Sequence, residues 1–132
     1  LGAVPLPGNK EAFVNFTDII GKRLEEKDSI VIYPEAHIWP YYTKIRPFKD
    51  MSFRYPAQYH APVFCFTNVY RKRKLRKTPR MITYVDGPFI ADSLIPIKEQ
   101  KAYLRNKVYD AMTARSKNNN VEIIKYIRLE NE

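Results

Sequence analysis

The sequence predicts an α/β domain: a mixed sheet with helices on its faces. Three observations carry that expectation. Phe13, Phe16, Ile20 and Leu24 recur at three- and four-residue spacing between Lys10 and Glu26, the period of a helix packed on one side. Ser29 to Tyr33 is apolar and β-branched without alternation, the pattern of a strand covered on both faces. Ile97 to Ser116 is a second long helical pattern, separated from the first by further apolar runs.

Taken in order, Leu1 to Leu6 reads as a strand end, and Pro7-Gly8-Asn9 as a turn whose Asn can cap the helix that follows. The strand-helix-strand order through Ser29–Tyr33 predicts a right-handed parallel crossover. Trp39 to Lys49 is irregular, because Pro40 and Pro47 interrupt any helix. Asp50 to Tyr59 suits a short helix broken or ended near Pro56. Pro62 to Tyr70 and Met81 to Val85 are strands joined by a basic loop, and Asp86-Gly87-Pro88 is a turn. Pro96 suits the first position of the helix Ile97–Ser116, with Leu104, Val108, Ala111 and Met112 as its buried stripe. Lys117 to Asn120 ends it. Val121 to Arg128 fits a closing strand or a closing helix equally well.

The 132 residues fall within the range of a single domain, and 45% hydrophobic with 28% charged residues is a globular composition. No run reaches the ~18 apolar residues of a membrane span, and the first residues do not have the pattern of a signal peptide. A lone cysteine excludes an internal disulfide. Cys65 lies in an apolar run, so it reads as a reduced core thiol, which fits a cytoplasmic setting. The formal net charge is +9, and six cations crowd into Arg71, Lys72, Arg73, Lys74, Arg76 and Lys77. Elsewhere the chain is only mildly basic.

The chemistry gathers around Glu35. A buried strand that stops at Tyr33-Pro34-Glu35 places a carboxylate at a strand's carboxyl end, where open α/β sheets build their sites. Lys44, Arg46 and Lys49 follow, so acid and base together point to a pocket for a phosphorylated ligand. The bland alternative is a solvated carboxylate beside a solvated basic loop. His37 stands two residues after Glu35 and shares its side if the strand conformation continues; otherwise it packs among Trp39, Tyr41 and Tyr42. His37, His60 and Cys65 show no metal-ligand spacing. There is no nucleophile elbow and no glycine-rich phosphate loop. The basic loop admits three readings: a solvated hairpin tip, a membrane-surface contact, or a nucleic-acid contact. No RNA-recognition signature accompanies it, and most aromatic residues are accounted for by packing, which disfavours nucleic acid.

Tyr33-Pro34-Glu35, then Pro47-Phe48-Lys49, then Pro62 at the mouth of a strand form an ordered set that resembles the glycerolipid acyltransferase family, of the lysophosphatidate type. Leu1-Gly2-Ala3-Val4 is similar to the start of an earlier motif of that family. Ala36, His37 and Ile38 stand where the family has Gly, Thr and Arg, and Pro7 stands near the place of a usual Arg. The family's His and Asp, separated by four residues, have no counterpart: Tyr42 and Cys65 occupy the positions where an Asp would follow His37 or His60.

The resemblance implies that the chain is the carboxyl-terminal part of an acyltransferase domain, with its sheet truncated on the amino-terminal side. It further implies transfer of a fatty acyl group from acyl-CoA or acyl carrier protein to a lysophospholipid or glycerol phosphate, without a cofactor. Glu35, His37, Lys44, Arg46 and Lys49 then become acceptor- or phosphate-binding residues, and Gly2, Pro34 and Pro62 shape the motifs. Glu35 itself repels phosphate, so its expected task is to accept from the acceptor's hydroxyl or to hold a cation in place. The setting implied is the cytoplasmic face of a membrane, bound peripherally through the basic loop. The rival class is a non-catalytic basic module that binds anionic membrane or nucleic acid.

Overall fold

The computed structural model describes residues 3, 4 and 6–128. Helix α1 spans Lys10–Glu25. It starts at Asn9, whose Oδ1 accepts the Ala12 N–H at 2.8 Å and satisfies a donor that a helix start leaves open. Thr17, Ile20 and Gly21 are buried, and Phe16 meets the Tyr55 ring edge-on, with centroids 5.8 Å apart. A methyl group on Gly21 would enter the Tyr59 ring, so glycine is what lets this helix approach so closely.

The strands predicted on either side of α1 are absent among the described residues. Leu1, Gly2 and Pro5 lie outside the described residues, while Ala3, Val4 and Leu6 join no ladder. Ser29–Tyr33 is likewise unpaired, with Val31 76% and Tyr33 78% exposed. A β-branched apolar run states a preference for extended burial, but a strand exists only where a neighbour takes its N–H and C=O groups. The sheet consists of β1, Val63–Arg71, and β2, Arg80–Phe89, paired antiparallel. Among the described residues there is therefore no mixed sheet and no parallel crossover; the protein is a small α/β fold.

A 3-10 turn, Met51–Phe53, runs into the short helix α2, Arg54–Gln58. Pro56 does not break it, because it stands in the first turn, where a missing N–H costs no intrahelical bond. Asp86-Gly87-Pro88 is not a turn but part of β2, opposite a register shift between Val63 and Cys65. Gly87 has φ 134, and a side chain there would press on the Val63 carbonyl; its turn chemistry shapes a bulge instead.

Helix α3 spans Ile97–Ser116, with Pro96 at the N-cap rather than inside the first turn. It covers one face of the sheet. Cys65, Thr67 and Val69 of β1 are buried on that face, while Phe64, Phe66 and Asn68 on the other are exposed. Helices on both faces were expected; the described sheet is covered on one. Leu104, Val108 and Met112 form the core with Cys65, Phe48, Phe53, Ala57 and Ala91, and Ala111 is half-buried beside them. Burying the Leu, Val, Met and Phe side chains of this cluster stabilises by about 1.5–3 kcal/mol each. Val121–Arg128 forms neither strand nor helix.

Candidate functional site

The irregular segment from Pro34 to Arg46 closes on itself. The Arg46 backbone N–H donates to Glu35 Oε2 at 2.9 Å, and Arg46 Nη2 donates to the Glu35 carbonyl at 2.8 Å and to the His37 carbonyl. Arg46 Nε lies 3.5 Å from Glu35 Oε2, and the guanidinium sits over the Trp39 ring, 4.5 Å from its centroid. Both side chains are largely sheltered, at 16% exposure for Arg46 and 25% for Glu35. Water screens the pair incompletely, and two carbonyls that accept from Nη2, with the carboxylate beside Nε, hold the guanidinium in one orientation. The Nε–Nη2 edge that a bidentate phosphate grip uses is thus engaged within the chain.

The turn at Ala36 makes this closure work. Ala36 has φ 61 and Tyr41 has φ 56, two left-handed residues in one loop. Side chains with a Cβ rarely adopt that conformation. It ends any extended run at Pro34, so Glu35 and His37 do not alternate as strand residues. The His37 and Lys44 side chains are exposed on this loop, and Lys44 makes no ion pair with a described residue. Pro34 is half-buried in the turn, and Pro62 is exposed immediately before β1. Lys49 is set apart: with Met51, Arg105 and Asn106 it borders a shallow concavity of ≈ 630 Å³ that does not include Glu35. The structure therefore brings Glu35, His37 and Arg46 together, and Lys49 belongs to another surface.

A junction that sequence reasoning did not find ties this loop to the basic one. Asn119 Oδ1 accepts the Tyr70 N–H at 2.7 Å, while its Nδ2 donates to the Thr43 carbonyl at 3.0 Å and the Ser116 carbonyl at 2.7 Å. One amide thus joins the end of β1, the closed loop and the end of α3. Asn120 Oδ1 accepts the Lys72 N–H at 2.7 Å, and the Asn118 carbonyl accepts from Arg71 Nη1 at 2.8 Å. The sequence shows the Asn run only as a helix terminator, although a row of short amides beside backbone is also a means of pinning it.

Aromatic side chains fill the space around the junction. Trp39 stacks on Tyr126 with centroids 5.1 Å apart, Tyr42 meets both edge-on, and Tyr41 lies 5.3 Å from Tyr70. The Tyr126 hydroxyl donates to the Pro40 carbonyl at 2.9 Å, which fixes the irregular segment after α3. Burial raises the Tyr70 hydroxyl above its ordinary pKa, and Tyr41 adds to that shift.

Two further groups belong to the scaffold. Arg115 Nε donates to Asp86 Oδ2 at 2.9 Å and Nη2 to Oδ1 at 2.6 Å, a forked pair that ties α3 to β2 and holds the Asp86 carboxyl below its usual range. Burial pushes the Cys65 thiol up, and the Asp86 carboxylate beside it acts in the same direction, so Cys65 is not an activated nucleophile. Among the described residues, no cluster of His, Cys, Asp and Glu has the makings of a metal site, and no helix is long and apolar enough to cross a membrane. Comparison of this chain with protein-family models, curated proteins and solved structures returned no match.

Proposed function

We propose that this chain supplies the acceptor-holding part of a glycerolipid-type acyltransferase, moving a fatty acyl group from acyl-CoA or acyl carrier protein to the hydroxyl of a lysophospholipid or glycerol phosphate. One observation carries the reading. Glu35, which ends the first block of the resemblance, is bonded to Arg46, the residue before the second block Pro47-Phe48-Lys49, and between them Ala36 takes a glycine-type conformation where the resembling family has Gly. A motif's glycine matters through its backbone, and the backbone here has the conformation that glycine favours.

In this proposal Glu35 and Arg46 are positioning residues that hold the loop, and exposed His37 and Lys44 meet the acceptor's phosphate. A His oriented by an Asp, which the resemblance implies outside these residues, takes the acceptor's hydroxyl proton. The oxygen attacks the thioester carbonyl carbon, the C–S bond breaks, and the departing thiolate takes up the proton. The loop's contribution is to hold the acceptor in place, which alone lowers a barrier substantially. The 132 residues by themselves are expected to show no transfer.

The test is a calorimetric titration of the chain with glycerol 3-phosphate, which is soluble and needs no vesicle. Saturable binding, weakened at least tenfold in the His37→Ala/Lys44→Ala double variant and retained when Lys72, Lys74 and Lys77 become Gln, is the expected result. No saturable binding, or binding indifferent to His37 and Lys44, would overturn the proposal.

A further inference from the structure

We infer that the loop between β1 and β2 is a docking element for a bilayer rich in anionic phospholipid, with Leu75 as the side chain that enters it. Residues 72–79 form the loop, and Leu75 at 97% exposure is the most exposed of the large hydrophobic residues described. It is flanked by Lys74 and Arg76, with Lys72, Arg73 and Lys77 beyond them. From Arg71 to Val85 the sequence contains no acidic residue, and no cation from Arg71 to Lys77 takes part in an ion pair among the described residues. The loop's side chains, with Pro79 and Val121, curve around a shallow concavity of ≈ 370 Å³.

What holds this loop separates it from a floppy basic tip. Its root is pinned by neutral groups, the Asn120 amide and the Asn118 carbonyl, and not by carboxylates. The pinning therefore neutralises none of the charge. Like charges held close together repel, and an extended anionic surface relieves them all at once. A fully solvated apolar side chain at the apex of a cationic loop gains on entering hydrocarbon while the flanking cations stay at the headgroups.

The neighbouring surface fits the same partner. Asn119 and the Tyr41–Tyr70 contact join the loop's root to Trp39, Tyr41 and Tyr126, each more than a third exposed. Aromatic rings with a polar tip suit the headgroup layer. Trp39 and Tyr126 stack on each other, and Tyr41 leans on Tyr70 at the loop's root. Docking of this kind needs no acyl acceptor and stands apart from the acyl-transfer proposal.

The experiment is co-sedimentation of the chain with vesicles of phosphatidylcholine alone and of phosphatidylcholine with phosphatidylglycerol, at low and moderate salt. Each basic side chain at an anionic leaflet strengthens binding about fivefold. Preference for the anionic vesicles by at least tenfold is expected, and Lys72→Gln/Lys74→Gln/Lys77→Gln should lose at least tenfold more. Leu75→Ser, a change at a fully solvated side chain, should weaken binding several-fold while leaving the salt dependence as it was. Equal binding to both vesicles, an unaffected Leu75→Ser variant, or displacement from anionic vesicles by mixed-sequence RNA would each overturn the inference.

Discussion

The two irregular segments at the end of the sheet use charge in opposite ways. In the Pro34–Arg46 loop, the cation is spent internally: Arg46 satisfies one carboxylate and two carbonyls and lies against an indole. In the loop between β1 and β2, neutral asparagine groups hold the root and the cations form no ion pair among the described residues. Charge that shapes a loop is unavailable to a ligand; charge left without a partner is available to one. A basic residue's number in the sequence does not reveal which kind it is.

The junction between the two segments offers the largest perturbation. Asn119→Ala removes bonds to Tyr70, Thr43 and Ser116 together, leaving partly buried groups unsatisfied, and should cost about 2 kcal/mol in a urea melt. Lys74→Ala, in the loop whose charge is free, should change stability by less than about 0.5 kcal/mol. Equal effects at these two positions would erase the distinction between a structural and an unspent polar group.

A smaller effect, of opposite sign, probes the closed loop's backbone. Ala36→Gly should stabilise the chain by about 1 kcal/mol, because a left-handed residue with a Cβ is strained where glycine is not. The gain would appear as a rise in the thermal midpoint; a fall would mean that Ala36 is not held in that conformation.

Much of the fold was legible in the sequence wherever a pattern is local. The helix Ile97–Ser116 has the expected bounds, since a twenty-residue periodic run with Pro before it and an Asn cluster behind carries its own limits. Asn9 caps α1 as its residue type predicts. What failed depends on partners. Ser29–Tyr33 has strand composition but no described neighbour, and Gly87-Pro88 carries turn residues that serve a bulge because β1 runs opposite. In the candidate site, Glu35 and Arg46 were each visible, yet their bond joins positions eleven residues apart across a loop without periodicity. Asn119 reaches Thr43 across 76 residues, a distance over which a single sequence gives no signal.

The most direct measurement is a double-mutant cycle of Glu35→Gln and Arg46→Met by denaturant unfolding. If this pair holds the loop, the two substitutions should couple by about 1 kcal/mol or more. Losses that add to within about 0.3 kcal/mol would contradict the account, leaving Arg46 as free a cation as those around Leu75.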